Sequence, residues 1–316
     1  MRCVSYSRFG DASVLEVREA AAPQPGPGEI QVKVALACLN PVDFKLRAGL
    51  FRIIGKPSRP AITGKVFAGT VTALGAGVAG FAVGQRVFGS VNPMNGSGSC
   101  AEALAISTDL VAPIPDGVGD ETAACLPVAS GTAYQALVSY AHLTQGQSVL
   151  ITGASGGVGS SAVQIAHSIG ARVTGVCGTS NVDYVRSIGA DDVVDYRGAD
   201  WRASGRVYDV VFDAAGSSSF GAARTHLSPT GWYLNTFPRP LMFITSPLVG
   251  LVSRQHSVPF MLKTSAAQLT ELARLAEMKV LRPRISRTVR LEDVADAQRE
   301  MEAGKVSGKI CVRVTG

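Results

Sequence analysis

Long hydrophobic runs are missing from this chain of 316 residues. The longest greasy stretch, LMFITSPLVGLV at 241–252, is too short to span a bilayer and is broken by Pro247. A packed helix or loop is expected there, with an apolar pocket wall as the alternative. The N-terminal MRCVSYSRFGDASVLEV has no apolar core of a secretory leader. Cysteine pairs are missing too. Cys3, Cys38, Cys100, Cys125, Cys177 and Cys311 contain no CxxC, which argues against a disulfide framework and a zinc cage. Reduced thiols in a cytoplasmic protein are the expectation. No dense basic run interleaves with aromatics, so the net charge of +6 does not make a nucleic-acid face. It does suit a polyanionic cofactor. No internal repeat is found, and His142, His167, His226 and His256 lack metal-ligand spacing.

What is present is a core-forming composition, 46% hydrophobic and 17% charged, on a chain long enough for two domains. Residues 1 to about 121 carry short alternating runs, IQVKVALACL, AGTVTALG and QRVFGSV, with glycine and proline between them. That half reads as β-rich. From about 122 the pattern becomes strand–helix–strand. SVLIT, RVTGVC, DVVDY, VYDVVFDAAG and GWYLNTF read as strands, and TAACLPVASGTAYQALVSYAHL, GGVGSSAVQIAHSIG and VDYVRSIG as helices. The expected class is α/β, a doubly wound parallel sheet domain plus a β-rich domain. AAQLTELARLAEMKV and LEDVADAQREMEAG then form amphipathic helices, and GKICVRV a closing strand. The expected division is 1–121 with 260–316 as a discontinuous domain, and 122–259 as a dinucleotide-binding domain.

The chemistry starts at ITGASGGVG, 151–159. Ala154-Ser155-Gly156-Gly157-Val158-Gly159 follows a buried strand and opens a helix, the context a phosphate-binding turn requires. Gly156 would let a pyrophosphate approach the backbone, and Gly159 would let the helix pack close to the strand. The helix N-terminus favours an anion. A ligand-free glycine bend is the alternative. RVTGVC ends in Cys177, not in the acid that bonds the ribose hydroxyls of NAD, and is followed by Gly178-Thr179-Ser180-Asn181. Small residues and donors there point to NADP(H) over NAD(H). Ala215-Gly216 and Thr236-Phe237 end two further strands at the carboxyl edge, where ligands bind in such sheets.

Taken together, LNPVDFKLRAG at 39–49, ITGKVFAGTVTALG at 62–75, LPVASGTAYQAL at 126–137, the glycine turn, SIGADDVVDY at 187–196 and SGKICVRV at 307–314 resemble the medium-chain dehydrogenase/reductase superfamily. The nearest branch is the zinc-independent quinone oxidoreductase and alkenal (enone) reductase group. The resemblance implies a GroES-like catalytic domain, a Rossmann domain, and a cleft between them. It also implies hydride transfer to a small electrophile, a quinone or an enone, with homodimers a family habit. Neither a membrane nor a nucleic-acid partner is implied. At the positions of the zinc ligands this chain has Asn40, Lys65 with Val66, and Val128. The resemblance places Asn40, Asp43 and Lys45 in the catalytic role, with a surface lysine paired to Asp43 as the alternative for Lys45. It brings Thr132, Tyr196 and Lys309 towards the cofactor. A helix-start threonine, a core tyrosine and a solvated lysine are the plainer readings of these three. An enoyl reductase or a non-catalytic NADPH-binding protein are the competing functions.

Overall fold

The structure is a computed structural model that describes residues 1–50, 60–92, 96–236, 242, 246, 249 and 253–315. It divides into two compact units, Met1–Val128 with Thr264–Gly316, and Ala129–Lys263. The first unit opens with β1 (Arg2–Tyr6), β2 (Glu16–Glu19) and β3 (Glu29–Cys38). Helix α1 (Pro41–Arg47) follows, then β4 (Ala61–Ile62), β5 (Val66–Leu74), β6 (Arg86–Ser90), β7 (Ala103–Ser107), β8 (Val111–Pro113) and α2 (Asp120–Cys125).

The ten-residue β3 organises this unit. Its alternation buries Ile30, Val32 and Val34 on one face. One side of β3 pairs antiparallel with β5; the other is shared between β7 and the last strand of the chain. Glycine permits the close crossing. A Cβ on Gly69 of β5 would lie 2.3 Å from the Lys33 carbonyl oxygen.

The second unit holds α3 (Gly131–Tyr134), β9 (Ser148–Thr152), α4 (Gly157–Ile169), β10 (Arg172–Cys177), α5 (Val182–Ser187) and β11 (Asp192–Asp195). It continues with β12 (Tyr208–Asp213), α6 (Phe220–Ala223), β13 (Leu227–Asn235) and β14 (His256–Pro259). The strands form one six-stranded sheet in the order β11–β10–β9–β12–β13–β14, with every pairing parallel. Val149, Leu150 and Ile151 of β9 are wholly buried, as a strand covered on both faces demands. Counted within the unit, the order is 3-2-1-4-5-6, that of a Rossmann sheet. The α/β class with a Rossmann sheet and a β-rich partner is therefore observed.

The chain then returns to the first unit with α7 (Ala266–Glu277), β15 (Ile285–Arg290), α8 (Val294–Glu302) and β16 (Lys309–Arg313). β16 pairs with β3, putting Cys311 opposite Cys38 and Val312 opposite Ala37. Ile310, Val312, Leu291 and Val294 complete the core begun by Val4, Ile30 and Phe67. Arg47 of α1 is fully buried and forms an ion pair with Glu302 of α8.

Candidate active site

In the second unit the turn after β9 sits at the sheet's switch point, between β10 and β12. Gly153 takes φ +62, and a Cβ there would meet Ala215 at 3.1 Å, so the glycine turn and the loop after β12 lie side by side. Gly156 starts α4 from an extended backbone, and no side chain caps the helix. Its uncapped N–H groups are the donors an anion would take. A Cβ on Gly159 would stand 2.1 Å from the Gly153 carbonyl oxygen, so the helix packs on the turn only because residue 159 is glycine. A Cβ on exposed Gly156 would meet only that same oxygen, at 3.3 Å. Ala154 is buried, its N–H bonded to the Val176 carbonyl at 3.0 Å, while Ser155, Gly157 and Val158 are half-buried. A turn kept open at the helix start and closed against the strand fits a dinucleotide pyrophosphate.

The loop after β10 gathers Gly178, Thr179, Ser180, Asn181 and Tyr196. Tyr196 is exposed, not a core residue; its hydroxyl lies 3.2 Å from where a Gly178 Cβ would stand. The β10–β11 register puts Asp195 opposite Cys177. Asp195 accepts hydrogen bonds from the Thr179 hydroxyl at 2.5 Å and the Arg197 backbone at 3.0 Å, and these hold its carboxyl below the usual range. The strand that carries Cys177 ends without an acid, yet the neighbouring strand supplies one to the same loop. Sequence reasoning missed this because the pairing is a matter of register.

Asp213, fully buried at the end of β12, organises the next loop. It accepts from the Thr152 hydroxyl at 2.5 Å, the Ser217 and Ser218 backbones at 3.0 and 2.8 Å, Tyr233 at 3.2 Å and Asn235 at 3.3 Å. These bonds shape the turn that contains Ala215 and Gly216. The Thr236 hydroxyl donates to the Ala214 carbonyl at 3.3 Å, which brings Thr236 to the same edge. Phe237, the other expected residue there, lies outside the described residues, as does most of 241–252. Thr132 is buried in α3. Asp213 itself carried a sequence signal, an acid closing the apolar run YDVVFD, that was not used.

In the first unit Asn40, Asp43 and Lys309 form one buried cluster. Asn40 precedes α1, and the Asp43 carboxylate accepts its backbone N–H at 2.7 Å. The Asn40 side-chain nitrogen donates to the Cys38 carbonyl at 2.9 Å. The Lys309 ammonium donates to the Leu39 carbonyl at 2.9 Å and to the Asn40 side-chain oxygen. Lys309 is thus a buried partner of Asn40, not a solvated lysine. Burial pushes the Asp43 carboxyl up to about 7, against the Asn40 hydrogen bond and the Lys309 and Lys65 charges, which pull it down. Lys65 donates to the Val91 carbonyl at 3.0 Å, and burial lowers its pKa. Lys45, two residues along α1 from Asp43, is half-buried, and desolvation lowers its pKa as well.

An uncapped glycine turn at the switch point of such a sheet defines a dinucleotide-binding fold. Residues 26–142 match the alcohol dehydrogenase GroES-like domain family, and residues 188–312 the family described as zinc-binding dehydrogenase. The chain is 33% identical to a chloroplast envelope quinone oxidoreductase homolog of Arabidopsis thaliana, covering 99% of this chain and 98% of that one. It is 35% identical to the NADPH-dependent alkenal/one oxidoreductase of the same organism's chloroplast, over 68% of this chain and 58% of the relative. The solved quinone oxidoreductase from Coxiella burnetii superposes with a TM-score of 0.90 at 26% identity, over 100% and 99% of the two chains. The chain belongs to the medium-chain dehydrogenase/reductase family, a family of nicotinamide-dependent oxidoreductases.

Proposed function

We propose that this protein is an NADPH-dependent, zinc-free reductase of quinones or α,β-unsaturated carbonyls. The observation that carries the reading is the open glycine turn at the switch point, where α4 begins uncapped. The names of the relatives supply the electrophile class. When bound, the nicotinamide supplies hydride to an electron-poor carbon. The residues of the chain bind, orient and protonate.

The backbone N–H groups at Gly157 to Gly159 would hold the pyrophosphate. Ser180 and Asn181 offer donors to a 2′-phosphate, while the Asp195 carboxylate works against it. Lys45 is our choice for the group that donates to the developing oxyanion, from its place in LNPVDFKLRAG; desolvation lowers its pKa, which favours proton donation. The Asn40 amide is spent on Cys38 and Lys309, and Asp43 on the Asn40 backbone, so both are assigned to fixing the start of the helix that carries Lys45. Zinc does not fit the positions its ligands would occupy. Lys65 is a half-buried lysine whose amine already donates to the Val91 carbonyl, and neither Val66 nor Val128 offers a donor. A cytoplasmic setting accords with six free cysteines.

The deciding experiment follows NADPH and NADH oxidation with a 2-alkenal, an enone and a quinone, with products identified by mass spectrometry. A saturated carbonyl or a hydroquinone is expected, and NADPH is expected to be the better donor. Tight NADPH binding with no oxidation by any of the three acceptors would replace the reductase reading with a binding role.

A further inference from the structure

Three cysteines of the first unit have no part in the proposed reaction. Cys38 ends β3, Cys311 lies opposite it on β16, and Cys125 ends α2. The Cys38 and Cys125 sulfurs are 3.4 Å apart, and those of Cys125 and Cys311 3.8 Å. All three sulfurs lie within 4.8 Å of one another and are buried. No imidazole or carboxylate belongs to the group among the described residues. Cysteine can serve as a small apolar filler, and one alone would call for nothing more. Here two strands and a helix, from three distant parts of the chain, deliver three sulfurs to one point.

The spacing is informative. Sulfurs sharing one metal at bond lengths of about 2.3 Å stand roughly 3.7–4 Å apart. The Cys125–Cys311 separation of 3.8 Å falls in that range, and the 3.4 Å between Cys38 and Cys125 is a few tenths of an ångström short of it. The donor set is all sulfur, which selects soft, thiophilic ions over magnesium, calcium or manganese. Structural zinc takes four ligands in a tetrahedron, and the group offers three. A monovalent soft ion needs no fourth.

We propose that Cys38, Cys125 and Cys311 form a trigonal thiolate site for Cu(I). Binding breaks three S–H bonds and forms three Cu–S bonds, and three protons leave to solvent. The metal enters and stays as Cu(I), handed over from a complex of a low-molecular-weight thiol whose Cu–S bonds break and whose released thiolate takes up a proton, so no oxidant is involved. The site is separate from the family's zinc position, which Asn40, Lys65 with Val66 and Val128 occupy here. The charge balance is favourable. Three thiolates with Cu(I) carry two negative charges, and the Lys309 ammonium, two residues from Cys311, offsets one.

The test uses the full chain, reduced and without oxygen, titrated with Cu(I) in competition with bicinchoninate. One Cu(I) per chain is expected to be retained. X-ray absorption at the copper edge should then show three sulfur neighbours and no nitrogen or oxygen. Cys125→Ser should weaken retention by about 100-fold or more, and a Cys3→Ser, Cys177→Ser double variant should leave it unchanged. Loss of all copper to the competitor, a copper shell with fewer than three sulfurs, or retention by Cys125→Ser equal to the unaltered chain would each overturn the proposal. Should Cys125→Ser not fold, the absorption spectrum of the unaltered chain decides. Because the readout is copper, the result stands whether or not the chain reduces any carbonyl.

Discussion

Asp43 shows how one residue can set a pH dependence. Its carboxyl is buried, and its folded pKa of about 7 lies above the ordinary 3.8. A folded pKa raised in this way means the native state holds the proton more tightly than the unfolded chain. The stabilisation is complete below about pH 4 and is lost as pH rises through about 7. Thermal unfolding followed from about pH 5 to about pH 8 should therefore show a falling midpoint, and Asp43→Asn should flatten the curve. The difference of about three pH units sets an upper bound of roughly 4 kcal/mol on the stability lost between the acid and the alkaline end. An unchanged slope in the variant would show that the carboxyl stays ionised. A second carboxylate acts at the cofactor loop. Asp195 is ionised at neutral pH and tied beside Thr179. Removing one charge near a 2′-phosphate should favour NADPH over NADH about five- to tenfold in Asp195→Asn, read by fluorescence titration with both nucleotides. An unaltered ratio would place the 2′-phosphate elsewhere.

At the scale of the element, α4 separates two jobs that one glycine motif performs. Gly159 is needed for packing, because its Cβ would be driven into the Gly153 carbonyl. Gly156 borders the open face, with ordinary backbone angles and a contact of 3.3 Å that asks the Gly153 carbonyl to shift by a few tenths of an ångström. Gly159→Ala should lower stability by about 1–3 kcal/mol in a denaturant titration. Gly156→Ala should unfold within about 1 kcal/mol of the parent yet bind NADPH more weakly, since the methyl would narrow the proposed phosphate site. The reverse pattern would exchange the two roles. These elements were legible in the sequence. SVLIT, RVTGVC and GKICVRV appear as β9, β10 and β16, and AAQLTELARLAE as α7. β1, β14 and β15 were not, for each is short and carries no decisive period. His256–Pro259 becomes a strand only because β13 offers it an edge.

For the whole molecule, the decisive feature is that the first unit is closed by the end of the chain. β16 shares one side of β3 with β7 and carries β15 on its own outer edge, and Ile310 and Val312 belong to the unit's core. The second unit has all six of its strands between Ala129 and Lys263. A chain ending at Lys263 should lose the first unit and keep the second. Limited proteolysis of it should leave a resistant fragment near 129–263. Survival of a fragment near 1–128 would show that the first unit folds without its tail. Among the described residues, no helix is long and apolar enough to cross a membrane, in line with the absence of long hydrophobic runs.

Local chemistry determined the α/β class, the glycine turn and the strand and helix succession, because these depend on periods of a few residues and on backbone freedom at single positions. The sequence also assembled LNPVDFKLRAG and SGKICVRV as motifs, but not their meeting. Tertiary structure decided that Lys309 reaches Asn40 across 269 positions, that Cys38 lies against Cys125 across 87, and that Asp195 enters the loop after β10. Register and burial make those contacts, and both are properties of the packed chain. The same burial moved the Asp43 and Lys45 pKa values, which the bare sequence cannot carry because the desolvation that shifts them exists only once the core has closed.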